Sequence, residues 1–328
     1  MSTLHYKIGG SDTKEVVLNE GESVLTGLLR DGVDVPFGCK TGVCQSCMMK
    51  SEHCNVPRDA QKGLREVQKT QGYFLSCCCY PKEPMVVTLT NDYKKESTVV
   101  LEKKVLAKDV VRLRVKKTIC YRPGQFMTLW KDDDIARTYS LASHPTHDDF
   151  IEFHIRVYEN GVFSSWVAKD LEVGDEIFIQ GPMGNCFYTK EDKAQTLFLS
   201  GLGTGLAPLY GIARDALLAG HQGPMIMLVG ARHESGLYYQ SELEELKNKF
   251  PQLEVRYSVQ ELSPELLATQ SRETDIYATA KMLMPDFTGA KVFLCGADSF
   301  VRKMKKQCFL SGANMGDIYS DTFLSFPK

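Results

Sequence analysis

The chain has 328 residues, 43% hydrophobic and 24% charged, with a formal net charge of −2. That length accommodates roughly two or three domains, and the near-neutral balance supplies no basic field for nucleic acid or an acidic membrane. No apolar run approaches the about eighteen residues of a membrane span, and the opening MSTLHYKIGG lacks the charged-then-apolar plan of a signal peptide. The expectation is a cytoplasmic protein with reduced thiols, with no nucleic-acid partner and no membrane insertion.

Residues 1–92 form the first unit. LHYKIG and KEVVLN alternate as strands around the turn GGSD, ESVLTGLLRDG has one apolar helical face, and MVVTLTND closes the unit as a strand. Seven cysteines crowd between Cys39 and Cys79, whereas Cys120, Cys186, Cys295 and Cys308 are scattered, as small buried apolar residues usually are. The clustered ones run Cys39-x4-Cys44-x2-Cys47, then 29 residues to Cys77. This is the plant-type [2Fe–2S] ligand spacing. Thiolates suit soft iron, and Gly38 and Gly42 allow the backbone to wrap closely. Zinc is the alternative, although structural zinc usually takes paired CxxC knuckles. Spacing alone does not separate Cys77 from Cys78 as the fourth ligand. With YFLSC and its following proline, the unit resembles a plant-type ferredoxin domain, whose fold is a β-grasp. Gln45 departs from it, standing where that family usually has glycine.

The polar NDYKKEST leads into a second unit, 98–190, of short strand-like runs: STVVLEKKVL, VVRLRVKK, QFMTLW, FIEFHIRVY and DEIFIQGP. Such spacing predicts an antiparallel barrel or sandwich. RPGQF, RTYS, ENGVFSSWV and GPMGNCF follow one another in an order that resembles the flavin-binding barrel of the ferredoxin–NADP reductase superfamily. The resemblance implies a flavin, with FAD favoured over FMN by the family order and a second phosphate site. Arg137 of Arg137-Thr138-Tyr139-Ser140 would neutralise its diphosphate, Tyr139 would lie against the isoalloxazine and Ser140 would hydrogen-bond near N5. His154, Ile155 and Arg156 would supply backbone contacts. Gly161, Val162, Phe163 and Ser164 would open a helix N-terminus suited to a diphosphate.

The third unit, 191–328, has a βα rhythm: strands TLFLSG, PMIMLVG, LEVRYSV and KVFLCGA alternate with helices APLYGIARDALLAG, YQSELEELKNKF and SFVRKMKKQCFLSG. A parallel sheet covered by helices follows. The glycine-rich SGLGTGLAP sits between a strand and a helix, the context a dinucleotide turn needs. It resembles the GxGTGxAP turn of the same superfamily, which implicates Gly203, Thr204, Gly205 and Pro208. Resemblance also places Cys295-Gly296 at the nicotinamide pocket, Asp321 near flavin N5 and Phe323 near the ring. Ser140, Cys295 and Asp321 are thus the catalytic candidates. Arg232, His233 and Glu234 lie where the adenosine ribose is expected and mix both charges, so NADH and NADPH stay open, with NADH favoured by the domain order.

Taken whole, the α+β, all-β and α/β units in this order resemble the reductase components of bacterial ring- and methyl-hydroxylating oxygenases, and the related deoxysugar reductases. The resemblance implies an NAD(P)H:acceptor oxidoreductase with FAD and a [2Fe–2S] cluster, and an electron-accepting partner protein docking near the cluster. A reductase of a deoxysugar pathway and a non-catalytic zinc and nucleotide-binding module are the alternatives.

Overall fold

A computed structural model describes residues 2–8, 12–42, 45–52, 56–64, 68–69, 72–89, 95–189, 193–261 and 275–323. The first sheet contains β1 (Ser2–Ile8), β2 (Lys14–Leu18), β3 (Met48–Ser51), β4 (Tyr73–Leu75) and β5 (Met85–Leu89) in the order β2-β1-β5-β3-β4. β1 and β5 pair in parallel and the other pairs are antiparallel. Period-two alternation turns Leu4, Tyr6, Val16 and Leu18 inward, where they meet Val24, Leu25 and Leu28 of α1 (Val24–Arg30). Ser23 caps that helix by accepting from the Thr26 N–H at 3.2 Å. The short β3 and β4 flank the cysteine loop and were not expected. Four and three residues are too few for a period to register.

The second sheet has six strands: β6 (Glu96–Ala107), β7 (Val110–Lys116), β8 (Phe126–Trp130), β9 (Ala136–Ser140), β10 (Phe150–Arg156) and β11 (Glu176–Met183). Their order is β10-β7-β6-β11-β8-β9, antiparallel throughout. Register shifts bend β6 at Val100/Glu102, so one half pairs with β11 and the other with β7. A bridge between Leu141 and Phe153, with Ala142 N–H donating to the Glu152 carbonyl at 3.0 Å, joins the two edges and closes a barrel. Helix α2 (Val162–Lys169) packs Phe163 and Val167 into the barrel core.

The third sheet is parallel: β12 (Leu197–Leu202), β13 (Met225–His233), β14 (Leu253–Glu261), β15 (Lys291–Ala297) and β16 (Ile318–Phe323), in the order β14-β13-β12-β15-β16. Successive residues face opposite layers. Leu197, Leu199, Phe293 and Cys295 join the core under α3 (Leu206–Leu218) and α4 (Gln240–Lys249). Phe198, Val292 and Leu294 join the core under α5 (Ile276–Leu283) and α6 (Asp298–Leu310). Burial on both faces explains why these strands read as continuous apolar runs. α5 was not expected from the sequence; it is short and its cap, Asp275, is its clearest signal. Among the scattered cysteines, Cys186, Cys295 and Cys308 are buried as expected, but Cys120 is exposed.

Candidate functional site

The cysteine loop between α1 and β3 is held open by positive φ at Lys40 (54°), Gly42 (82°) and Gln45 (59°). The turn brings Cys39, Cys47 and Cys77 together. All three are buried, and the Cys77 thiol is within hydrogen-bonding reach of both Cys39 and Cys47. The Thr41 N–H points at Cys39 Sγ at 3.3 Å, the backbone-to-sulfur donation that a cluster requires. Ser46 Oγ is buried with no hydrogen-bond partner among the described residues, which fits an acceptor sulfur at this place. Cys44, the remaining predicted ligand, lies outside the described residues, and those described present no group of three His, Cys, Asp or Glu set around a single metal ion.

The triplet splits by direction. Cys77 faces the other two cysteines. Cys79 turns into the core, with Sγ 3.9 Å from Met85 Sδ. Cys78 packs on the loop backbone, and a Cβ at Gly42 would stand 2.6 Å from its Sγ. Gln45 occupies a left-handed position, the physical reason for a glycine there, and its side chain leaves the loop to donate to the Gly63 carbonyl at 3.3 Å.

The loop is seated against the barrel. Trp130 of β8 belongs to the core of the first sheet, and Phe37 meets it edge-to-face at 5.0 Å. Beside this contact a cavity of about 230 Å³ lies between Gln45 and Ser46 on one wall and Phe126, Met183 and Asn185 on the other.

Next to this wall, β9, β10 and α2 converge, with Ser140 of β9 the ladder partner of Phe126. Arg137, Thr138 and Tyr139 are half-buried along β9. Tyr139 lies 5.6 Å from the Phe163 ring on α2. Gly161 caps α2 without any side-chain hydrogen bond, so the first-turn N–H groups have no side-chain cap. Ser164 Oγ is instead used locally, accepting from the Tyr158 N–H at 3.1 Å. The half-buried strand, the two rings and the uncapped helix end are features that fit a dinucleotide with an extended ring and a diphosphate.

The parallel sheet turns its switch point to the same place. The strand order reverses between β12 and β15, and ligands of such sheets bind outside the strand C-termini there. Gly203-Thr204-Gly205 form a 3-10 turn between β12 and α3, with Pro208 in the helix's first turn. A Cβ on Gly205 would stand 2.2 Å from the Cys295 carbonyl oxygen, so only glycine lets this turn rest on β15. Gly296 beyond it has φ 137°. Arg156 of the barrel reaches toward Gly203 and pairs with Asp109 at 2.7 Å. Asp321 sits beside Cys295 in the β15–β16 ladder and accepts from Ser140 Oγ at 2.5 Å. Burial pushes its carboxyl up to about 6, against the lowering effect of the Ser140 hydrogen bond. Phe323 lies two residues on, half-buried.

At several expected residues the structure shows where the side chain goes. The Cys295 thiol is fully buried and faces Cys186, 4.0 Å away, rather than an open cleft. The His154 side chain points away from β9, toward Tyr238 at 3.1 Å and Glu152 at 3.1 Å, while Ile155 fills the barrel core. Arg232 is exposed and paired with Glu261 at 2.7 Å. Sequence reading missed Phe37 and Trp130, and the Glu152, Tyr238 and Tyr239 contacts; charges at alternate positions of FIEFHIR were the available signal.

A ferredoxin-type unit, a flavin-type barrel and a dinucleotide sheet in one chain define a class of redox enzyme. The chain matches the family models for the 2Fe-2S iron-sulfur cluster binding domain over residues 7–82, the oxidoreductase FAD-binding domain over 97–188 and the oxidoreductase NAD-binding domain over 198–306. It belongs to the oxidoreductases that join an N-terminal plant-type [2Fe–2S] domain to ferredoxin–NADP reductase-like FAD and NAD domains, and its cofactors are a [2Fe–2S] cluster, FAD and NAD(P)H. It is 28% identical over 323 residues to the ferredoxin–NAD(P)+ reductase component of the Pseudomonas putida naphthalene 1,2-dioxygenase system, covering 94% of this chain and 95% of that one. It is 26% identical over 327 residues to the phenol hydroxylase P5 protein of Acinetobacter pittii, covering 94% and 92%. Among solved structures, the Amycolatopsis cytochrome P450 reductase GcoB shares the fold, with a TM-score of 0.73, 24% identity and 98% of each chain covered.

Proposed function

We propose that this protein is the reductase component of an oxygenase system, carrying electrons from NAD(P)H to a partner oxygenase. The observation that carries the reading is that the cysteine loop and the Ser140–Asp321 pair meet the same part of the barrel: Gln45 and Ser46 share a cavity with Phe126, the ladder partner of Ser140. Bound here, FAD would supply a two-electron acceptor for hydride and the cluster a one-electron carrier. The family models support the iron–sulfur reading over zinc.

The residues divide the work. Cys39, Cys44, Cys47 and Cys77 hold the cluster, with Ser46 and the Thr41 N–H donating to its sulfurs. Arg137 and the N-terminus of α2, from Gly161 to Ser164, hold the diphosphate. Tyr139 lies on the ring, Thr138 and the β10 backbone at His154 to Arg156 border it, and Ser140 orients it. Gly203, Thr204, Gly205 and Gly296 let the nicotinamide dinucleotide approach the backbone, with Pro208 fixing the start of α3. Asp321, which keeps its proton only below about pH 6, lies near the reacting centre, Phe323 walls it, and Cys295 supports it from behind through the β15 backbone on which Gly205 rests. NADH is the favoured donor. Arg232 is already paired with Glu261, and that carboxylate opposes a 2′-phosphate. The three units take their limits at 1–92, 98–190 and 191–328.

The partner docks at the cluster's outer side. Gln45 and Ser46 face the barrel, whereas Lys40 and Thr41 are exposed, so electrons enter on one side of the loop and leave on the other. The test is purification with flavin, iron and acid-labile sulfide quantified, followed by NADH and NADPH oxidation with an artificial acceptor. Stoichiometric cofactors and a preference for NADH are expected. Absence of both chromophores, or no oxidation of either nucleotide, overturns the reading.

A further inference from the structure

Strand β10 is buried on both sides, yet it carries Glu152 and His154 at alternate positions. Ile151, Phe153 and Ile155 face the barrel core. Glu152 and His154 therefore face out of the barrel, and what they meet is the segment of the nucleotide domain just before α4. Tyr239 Oη donates to Glu152 Oε1 at 2.5 Å and accepts from Arg112 Nη1 at 3.2 Å. Tyr238 Oη lies 3.1 Å from His154 Nδ1, and His154 Nε2 lies 3.1 Å from Glu152 Oε1. Arg114 Nε donates to Glu152 Oε2 at 2.6 Å, and Glu102 ties both arginines from outside. The His154 ring is 4.6 Å from the Tyr239 ring, which in turn meets Tyr210 of α3 at 5.2 Å.

Two costs mark this cluster as more than packing. Burial alone pushes the Glu152 carboxyl up, but the hydrogen bonds from His154, Tyr239 and Arg114 outweigh it and hold it at about 2, so a carboxylate is kept charged inside the molecule. Tyr239 adopts φ 60°, ψ 22°, a left-handed conformation that is strained for a non-glycine residue. An apolar contact would hold the two domains together without either cost. A hydrogen-bonded carboxylate does something an apolar contact does not: it fixes one angle between them.

We propose that Glu152, with His154, is the socket, and Tyr238 and Tyr239 the plug, of an interdomain latch that sets the nucleotide domain's orientation against the flavin barrel. These are positioning residues. They act at a distance, by placing the β12–α3 glycine turn against Ser140 and Arg156. This rests on the hydride-transfer reading above, because orientation matters only if a nicotinamide must meet a flavin there.

The test uses the full-length holoprotein and Tyr239→Phe, which keeps the ring and removes the phenol. FAD content and the visible spectrum stay as in wild type. The rate of flavin reduction at saturating NADH, followed by stopped flow, falls about tenfold, in keeping with the sensitivity of transfer to sub-ångström placement. Amide hydrogen exchange at 237–243 speeds up by a similar factor. Tyr238→Phe, which breaks only the His154 contact, gives a smaller change in both readings and serves if Tyr239→Phe does not fold. A variant with a lowered Tm but the wild-type saturated rate overturns the proposal, since packing alone produces that result. Wild-type protein whose flavin neither NADH nor NADPH reduces would sink the proposed function instead.

Discussion

Ser140 of the barrel and Asp321 of the parallel sheet, 181 residues apart, share a hydrogen bond of 2.5 Å across the boundary between their domains. The Asp321 carboxyl, pushed up by burial to about 6, binds its proton more tightly folded than unfolded. Its contribution to stability is thus full below about pH 4 and fades as pH rises through about 6. Asp321→Asn removes this loss while keeping an acceptor for Ser140. In flavin-free protein the variant is expected to melt higher than wild type at pH 8, by no more than about 3 kcal/mol, and equally at pH 4. Melting curves at the two pH values check this, and a gap that persists at pH 4 contradicts it.

The cysteine triplet yields a second expectation. Cys77→Ser abolishes the cluster, read as loss of iron, acid-labile sulfide and visible absorption. Cys78→Ser retains it. Cys79→Ser also retains it but lowers Tm, because a hydroxyl replaces a thiol packed on Met85 in the core. Loss of the cluster in Cys78→Ser, with Cys77→Ser intact, would reassign the fourth ligand.

Gly205→Ala tests the dinucleotide turn. The new methyl meets backbone, not a yielding side chain, so the turn and β15 must part. A destabilisation of about 1–3 kcal/mol is expected, with a raised KM for NADH and unchanged FAD content. Calorimetry and steady-state kinetics measure the two effects separately.

Trp130→Ala probes the seat of the cluster domain. Trp130 is buried and its ring meets Phe37 across the domain boundary. Removing it costs about 3–5 kcal/mol. Flavin reduction by NADH is expected to continue, while subsequent cluster reduction, followed by its own absorption in stopped flow, slows. Equal slowing of both steps would mean that the tryptophan serves the barrel as a whole.

Local chemistry made much of this legible in advance. Cysteine spacing, the RTYS and GTG runs and the three rhythms of apolar residues each depend on a few adjacent positions, because a ligand loop, a glycine turn and a strand are short-range objects. The Gln45 departure was also visible, and its left-handed φ explains why glycine is usual there. The residues that stayed hidden are those whose role depends on a partner far along the chain. Nothing near Glu152 announces Tyr239, nothing near Phe37 announces Trp130, and Cys295 reads as a pocket residue until Cys186 is seen against it. Cofactor class and domain order follow from sequence, since they are written in contiguous motifs. Which thiol of the triplet meets Cys39 and Cys47, which carboxyl has its proton affinity raised and which groups meet across the domain boundary were decided by tertiary packing, because burial and the meeting of distant groups exist only once the chain has closed on itself.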